Sequence, residues 1–517
     1  MADEKHHTRI GAFVLETLTT GMYRNPLDTL REYIQNAFDA IRTAERQNII
    51  QTGAGRIHVS ISQKDRTLTI RDNGTGVAAA DTAARLVNIG MSAKSLEIDA
   101  GFRGIGRLAG IAYCDELTFR TQHYDEMHVS TVLFDAVALR NAMSPKNREI
   151  RELGEIIDEH VIVKAVPAKK KEHFLEISMS GINSNGDIFL DMTAVRTYLE
   201  QVAPLPFDTQ FLSLSKKFYD WVKQTGVMPP EVHITFNDNS YELFKSFRQL
   251  TYSTAQGKYK VEVRGLRFFP ENVTNDSPFW GWYAETNCLG IIGDDSVAGF
   301  RLRKANIAIG ISERMTDIFR LASESYARFN RYFIGEVHIQ DHAVIPNAHR
   351  DDFEETPEWL EIRKQLVEFA RVRSREAYAL SEGRNADIEK LITMSDRQLE
   401  EVARKQHTGL ASKVKQAKLD GDIGRYIEKI EMAEKADRSE EDQGRLGRKR
   451  EELETARERI ANETKFTGQN LKTSLTKGER KIIRTILGLL YEVLGDGKNY
   501  ETARDAIHRK YGISEKE

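Results

Sequence analysis

Leu30-Arg-Glu-Tyr-Ile-Gln-Asn-Ala-Phe-Asp-Ala40 reads as helix, and within it Glu32, Asn36 and Asp39 fall at i, i+4 and i+7, so all three point from one face. A carboxylate and an amide oxygen stacked one turn apart have two uses at a triphosphate. The amide oxygen ligates Mg²⁺, which takes hard oxygen donors and shares them with phosphates, and the carboxylate orients a water and accepts its proton. A solvated helix face has the same pattern, and the trio alone does not separate the two readings.

Upstream, apolar residues at helical spacing run from Ile10 to Arg42 on either side of a break at Arg24-Asn25-Pro26, which predicts two helices joined at the proline. Downstream, alternation over Arg56–Ser62 and Thr67–Arg71 predicts strands, the second ending in Asp72-Asn73-Gly74-Thr75-Gly76. Gly74 and Gly76 lack a Cβ and let backbone approach a flat ligand, while a buried Asp72 accepts from an exocyclic amine and so tells adenine from guanine. Asp-Asn-Gly is also an ordinary tight turn. A helical stretch over Ala79–Ile89 leads into a glycine-rich region, where Gly101-Phe-Arg-Gly104-Ile-Gly106-Arg107 precedes an apolar helical run. Its amides and a helix N-terminus suit anionic oxygens. No Gly-Lys-Ser/Thr closes it, so it is not a Walker loop, and it does not sit in the first strand-to-helix turn of a dinucleotide fold.

These three elements, about forty and then about thirty residues apart, resemble the GHKL ATPases (gyrase, heat-shock chaperone, histidine kinase, MutL). Ile10 to Ile41 looks most like the start of the ninety-kilodalton heat-shock chaperones, as does the lid-like Asn88-Ile-Gly-Met-Ser-Ala-Lys-Ser95, whereas Gly101-Phe-Arg-Gly104 is closer to the MutL lid. The resemblance is specific over residues 10–120 and looser to 355. It implies Glu32 as general base, Asn36 as Mg²⁺ ligand and Asp72 as adenine anchor, with Asp39, Gly74 and Gly76 beside the nucleotide. It also implies that Asn88, Lys94, Gly101, Arg103, Gly104, Ile105 and Gly106 line the lid and phosphates, with ATP and Mg²⁺ bound. His342-Ala-Val-Ile-Pro-Asn-Ala-His-Arg350 resembles the chaperones' middle-domain loop, which makes Arg350 the cation offered to the γ-phosphate, with Arg303 and Lys304 as runners-up. Two aspartates follow Arg350, and a surface ion pair is the competing reading.

The expected fold class is α+β. A GHKL sandwich over residues 1–203, helices on a mixed, mainly antiparallel sheet, precedes an α/β middle or transducer domain over 208–355. The proline-bearing Val202–Phe207 segment forms the boundary. A charged helical segment follows over 356–475, read between 384 and 470 as solvated helices without a compact core, and a C-terminal helical pair over 476–517 carries a stripe of Ile483, Ile486, Leu487, Leu490 and Leu494 suited to dimerisation. Leu446, Leu453 and Ile460 are seven apart, too few for a coiled coil.

Net charge is -3 from 75 basic and 78 acidic residues, which provides no global field for nucleic acid or an anionic membrane; no apolar run reaches the ~20 residues of a bilayer crossing. A cytoplasmic protein without a membrane partner is expected. Cys114 and Cys288, far apart in apolar surroundings, read as buried small hydrophobes. His338 and His342 lie on a strand-like run unsuited to a metal, and Phe279-Trp-Gly-Trp-Tyr283 reads as a packed strand. The expected function is a homodimeric ATPase clamp acting on a protein client or partner. A MutL-like clamp on DNA and a nucleotide-gated scaffold with little turnover are the alternatives.

Overall fold

The computed structural model describes residues 25–89, 106–144, 151–208, 211–237, 241–257, 259–287, 290–385, 388–410, 413–434, 440–463, 471–472, 475–495 and 497–515, with 10, 11, 14 and 23. Two compact units, 1–374 and 375–517, divide the chain.

The first unit opens on helix α1 (Asp28–Arg46), the stretch that decides the fold. Its apolar stripe of Leu30, Tyr33, Ile34, Phe38 and Ile41 is buried in the core of an eight-stranded sheet ordered β5-β4-β3-β6-β2-β1-β7-β8. The strands are β1 (Arg56–Ser62), β2 (Thr67–Asp72), β3 (Glu116–Gln122), β4 (His128–Asp135), β5 (Val161–Pro167), β6 (Phe174–Ser180), β7 (His233–Phe236) and β8 (Tyr241–Glu242). Neighbours run antiparallel except β1 and β7, which are parallel. Alternation puts Ile57, Val59, Leu68, Ile70, Leu117, Phe119, Val132 and Phe134 inward, each burial contributing ~1.5–3 kcal/mol for residues of this size. Helices α2 (Thr82–Leu86), α3 (Ala136–Met143), α4 (Leu153–His160) and α5 (Met192–Val202) complete the layer. The helix expected over Ala79–Ile89 is shorter, because Ala79–Asp81 is a 3-10 turn and the α-helical part ends at Leu86.

The proline connector does not end the first sheet. Val202, Ala203 and Leu205 pack into the same core as Val232, Ile234 and Phe236, so the strand at 233–236, expected in a second domain, instead lies parallel to β1. Helix α6 (Leu212–Thr225) then leads to a six-stranded sheet, β13-β12-β14-β11-β10-β9. Its strands are β9 (Thr251–Ser253), β10 (Lys260–Phe269), β11 (Phe279–Thr286), β12 (Gly299–Lys304), β13 (Ile307–Ile309) and β14 (Ile334–Ile339), with α7 (Glu313–Ala322) inserted before β14. Trp280 and Trp282 of β11 are wholly buried, as a packed strand requires.

Beneath Trp282 lies a buried charge network. Glu336 accepts from Lys245 Nζ at 2.7 Å, from Trp282 Nε1 at 3.1 Å and from Arg303 Nε. Arg303 also donates to the carbonyls of Gln201 (2.8 Å) and Ala203 (3.3 Å), tying the second sheet to the end of α5. A buried charge needs this degree of pairing to offset its desolvation. His338 stacks on Trp280 with centroids 4.1 Å apart; burial pushes its imidazole down to about 4, so it is a neutral core histidine.

In the second unit, α8 (Pro357–Asn385, begun in the first) is followed by α9 (Ile388–Thr408), α10 (Lys413–Glu434), α11 (Glu440–Glu463), α12 (Lys477–Leu494) and α13 (Lys498–Lys510). The expectation of solvated helices over 384–470 is corrected here. Leu391, Val402, Leu419, Ile423, Ile427 and Ile430 meet Leu446, Leu453 and Ile460 in one apolar core shared by α9, α10 and α11. Each helix brings a narrow stripe diluted by charge, and three narrow stripes close a core together. In the terminal pair only Ile483 of the expected stripe is buried, whereas Ile486 and Leu494 are exposed. No described helix is long and apolar enough to cross a membrane.

Candidate active site

The polar face of α1 is not solvated. Glu32 is 7% exposed, Gln35 1% and Asp39 4%. A helix that buries carboxylates as well as its apolar stripe must put them against something other than water. Part of that something is glycine. A Cβ on Gly106 would lie 2.5 Å from Glu32 Cδ, and one on Gly74 2.7 Å from Ala40 Cβ, one turn beyond Asn36. Only residues without a side chain fit so close to this helix.

Asp72 ends β2, buried, and its Oδ1 accepts from Gly74 N at 2.8 Å. The segment after it is not a hairpin turn. Gly76 has φ +65 and a Cβ there would stand 1.9 Å from Gln122 O, while Val77 N donates to Thr121 Oγ1 at 2.9 Å and Tyr124 N to Thr75 O at 3.2 Å. His173 Nδ1 meets Gly74 O at 2.7 Å. The loop is therefore pinned to the end of β3 and to the β5–β6 connection, which holds Asp72 and both glycines as a fixed wall beside α1.

A 3-10 helix, Gly106–Ala112, starts against Glu32 and is buried throughout. Tyr33 fixes it: its hydroxyl donates to Arg107 O (3.1 Å) and accepts from Gly110 N (3.0 Å). Arg107 donates to the carbonyls of Leu86 (3.1 Å) and Asn88, and burial pulls its guanidinium down to about 10. Asn88 is exposed, at the outer end of that contact. Lys94, Gly101, Arg103, Gly104 and Ile105 lie outside the described residues, as does Cys288. Cys114 is buried, its thiol pushed up to about 12 by burial.

The second sheet supplies a cation. Arg350 Nε donates to Glu32 Oε2 at 2.9 Å across 318 positions of sequence, and Arg350 is itself 7% exposed. Beside it Arg31 donates to His349 O at 3.1 Å. The loop that presents Arg350 is braced from within: its φ is +54, Gly310 N donates to Arg350 O, and Pro346 pairs with Phe353. The aspartates after Arg350 have partners of their own, since Asp351 accepts from Asn347 (2.8 Å) and Asp352 pairs with Arg314 (3.2 Å). Arg303 is held by Glu336 within the second sheet, and Lys304 donates to Asp341 O. Of the three second-sheet cations singled out in the sequence, Arg350 is the one bonded to Glu32.

The donors near Glu32 on α1 are oxygens, the Asn36 amide and the carboxylates of Glu32 and Asp39, with Asn36 Nδ2 3.5 Å from Glu32 Oε1. That set suits Mg²⁺ better than a soft metal. Gln35, not singled out in the sequence, has its Oε1 and Nε2 buried without a hydrogen-bond partner among the described residues. It shares a stripe with Asp28, Glu32 and Asp39 at i, i+4, i+7 and i+11, a spacing readable from sequence. An orphaned buried amide on this face is a group with hydrogen bonds still to make. Tyr33 and Arg107 were not singled out either, although Arg107 closes the glycine motif.

Comparison with known proteins agrees with this geometry. Residues 25–160 match the family described as histidine kinase-, DNA gyrase B- and HSP90-like ATPase. Chaperone protein HtpG of Fusobacterium nucleatum is 31% identical over 127 residues, 21% of each chain, and that of Aliarcobacter butzleri 30% over 108 residues, 19% of this chain and 17% of its own. The Alkalilimnicola ehrlichii HtpG match is longer, 22% over 249 residues, 45% of this chain and 37% of the relative. The chain thus spans well under half the length of these curated relatives. The matched stretch holds α1, Asp72, both glycines of the fixed wall and the 3-10 helix under Glu32, so the nucleotide-site elements described above are the part of the chain similar to the histidine kinase-, DNA gyrase B- and HSP90-like ATPase family.

Proposed function

We propose that this protein binds and hydrolyses ATP and converts turnover into movement of its second sheet against its nucleotide domain, a conformational clamp acting as a homodimer on a protein client. The observation that carries the reading is the buried Glu32–Arg350 pair beside the glycine wall, a proton acceptor and a cation delivered to one place from two sheets. Asp72 accepts from the exocyclic amine of adenine, with Gly74 and Gly76 giving room for the ring. Asn36 would hold Mg²⁺, which when bound neutralises phosphate charge. Glu32 orients water and takes its proton as the oxygen attacks the γ-phosphorus and the bond to the β-phosphate oxygen breaks. Arg350 then has two stations. In this state it holds Glu32; when it turns to the γ-phosphate it stabilises the transferring group and releases the base. Hydrolysis is thereby coupled to where the second sheet stands.

The adenine contact is tested by titrating ATP and GTP into wild type and Asp72→Asn. Asparagine keeps an acceptor for Gly74 N–H but replaces the other carboxylate oxygen with a donor. Loss of one charge-assisted hydrogen bond, ~1.5–3 kcal/mol, weakens ATP by about 10- to 100-fold and erases the preference over GTP. Unchanged ATP affinity would remove Asp72 from the pocket.

A further inference from the structure

The outer strand of the first sheet, β5, is built unlike the strands beside it. Among the described residues it pairs only with β4, yet Ile162, Val163 and Val166 are 47%, 45% and 54% exposed, and Met127, across the ladder from the end of β5, is 46% exposed. Its backbone has an open side. Ala168 N donates to Met127 O, and in an antiparallel ladder the bonded pairs alternate, so the even-numbered residues of β5 turn toward β4. The amides and carbonyls of Val161, Val163 and Ala165 therefore point away from the sheet. An open edge with exposed β-branched side chains accepts another extended chain.

Charge selects which chain. Lys164 sits mid-strand and Lys169, Lys170 and Lys171 follow it, all exposed, and none has an ion pair among the described residues. Lysine on an edge guards against self-pairing, because a second copy would bring like charges together. The same lysines attract a strand that alternates apolar with acidic residues. We propose that β5 docks an acidic, extended segment of a partner protein by strand addition, with backbone hydrogen bonds at Val161, Val163 and Ala165, apolar contact at Val163 and Ala165 on one face of the sheet, and Lys164 on the other face, with Lys169–Lys171 beyond the strand, against its carboxylates.

The test uses the full chain and short labelled peptides alternating valine with glutamate or valine with lysine, followed by fluorescence anisotropy. Val163→Pro removes an outward N–H without removing a bond to β4, a place where an edge strand tolerates proline. Unfolding by heat and ATP turnover, both expected unchanged, verify that the variant is folded. The glutamate peptide binds wild type, loses affinity as salt is raised, and binds Val163→Pro at least about tenfold more weakly, the equivalent of ~1.4 kcal/mol. Lys164→Glu together with the three following lysines changed to glutamate reverses the preference between peptides. Equal binding of both peptides, undiminished binding to Val163→Pro, or a concentration-dependent dimer of the wild type that Val163→Pro abolishes would each overturn the assignment.

Discussion

Arg350→Ala lowers steady-state ATP turnover by about 10³-fold or more while ATP affinity stays within a few-fold of wild type, because an arginine supplied to a transferring phosphoryl group acts chiefly in the transition state. The expectation rests on place: Arg350 Nε is 2.9 Å from Glu32 Oε2, in a loop braced by Gly310, Asn347 and Phe353. The substitution also leaves Glu32 buried without this partner, and breaking one side of a buried ion pair costs about 3–5 kcal/mol. A lower melting temperature therefore accompanies the kinetic loss. Arg350→Lys separates the two effects. Lysine restores a charge beside Glu32 but not the planar fork, so stability returns further than turnover does. Turnover of Arg350→Ala within about threefold of wild type would reduce the Glu32 contact to a structural ion pair.

Glu32→Gln lowers turnover by about 10²- to 10⁴-fold, the range of a lost general base, with ATP binding retained. Glutamine keeps an acceptor for Arg350 and nearly the same volume against Gly106, so the change is confined to basicity. Glu32→Ala loses turnover as well, and in addition leaves the Arg350 guanidinium without its carboxylate. Comparison of the two variants by single-turnover kinetics and thermal unfolding assigns the chemical loss to the proton acceptor and the remainder to the buried pair. Loss of nucleotide binding in Glu32→Gln would show instead that the carboxylate supports the pocket rather than the reaction.

The sheet under α1 is legible in the sequence because a half-buried antiparallel strand alternates along a few residues, as Arg56–Ser62 and Thr67–Asp72 do. The return of β7 to that sheet is not. It is a parallel pairing of His233 with Arg56, far apart in sequence, and the prolines at 204 and 206 carry the marks of a boundary while Ala203 and Leu205 beside them pack in its core. Local signals also misled over 384–470, where dense charge hides Leu446, Leu453 and Ile460 until α10 brings Ile423, Ile427 and Ile430 to meet them. At the site, the spacing of Glu32, Asn36 and Asp39 is visible in one dimension, but the burial of Glu32 and Asp39 is not. The Arg350 contact crosses 318 positions, and only the likeness of its loop to a known middle-domain loop drew it toward Glu32. Tyr33 and Arg107 hold the 3-10 helix through backbone carbonyls, contacts that residue types alone do not announce.

The most direct test is steady-state ATP turnover by the purified chain, with nucleotide binding followed in the same preparation, in Mg²⁺ and after its chelation. ATP is expected to bind and to be turned over in Mg²⁺, chelation to abolish turnover, and GTP not to substitute. Failure of the protein to bind ATP with Mg²⁺ present would contradict this, because the Asp72 wall, the α1 carboxylates and Arg350 would then surround something other than a nucleotide.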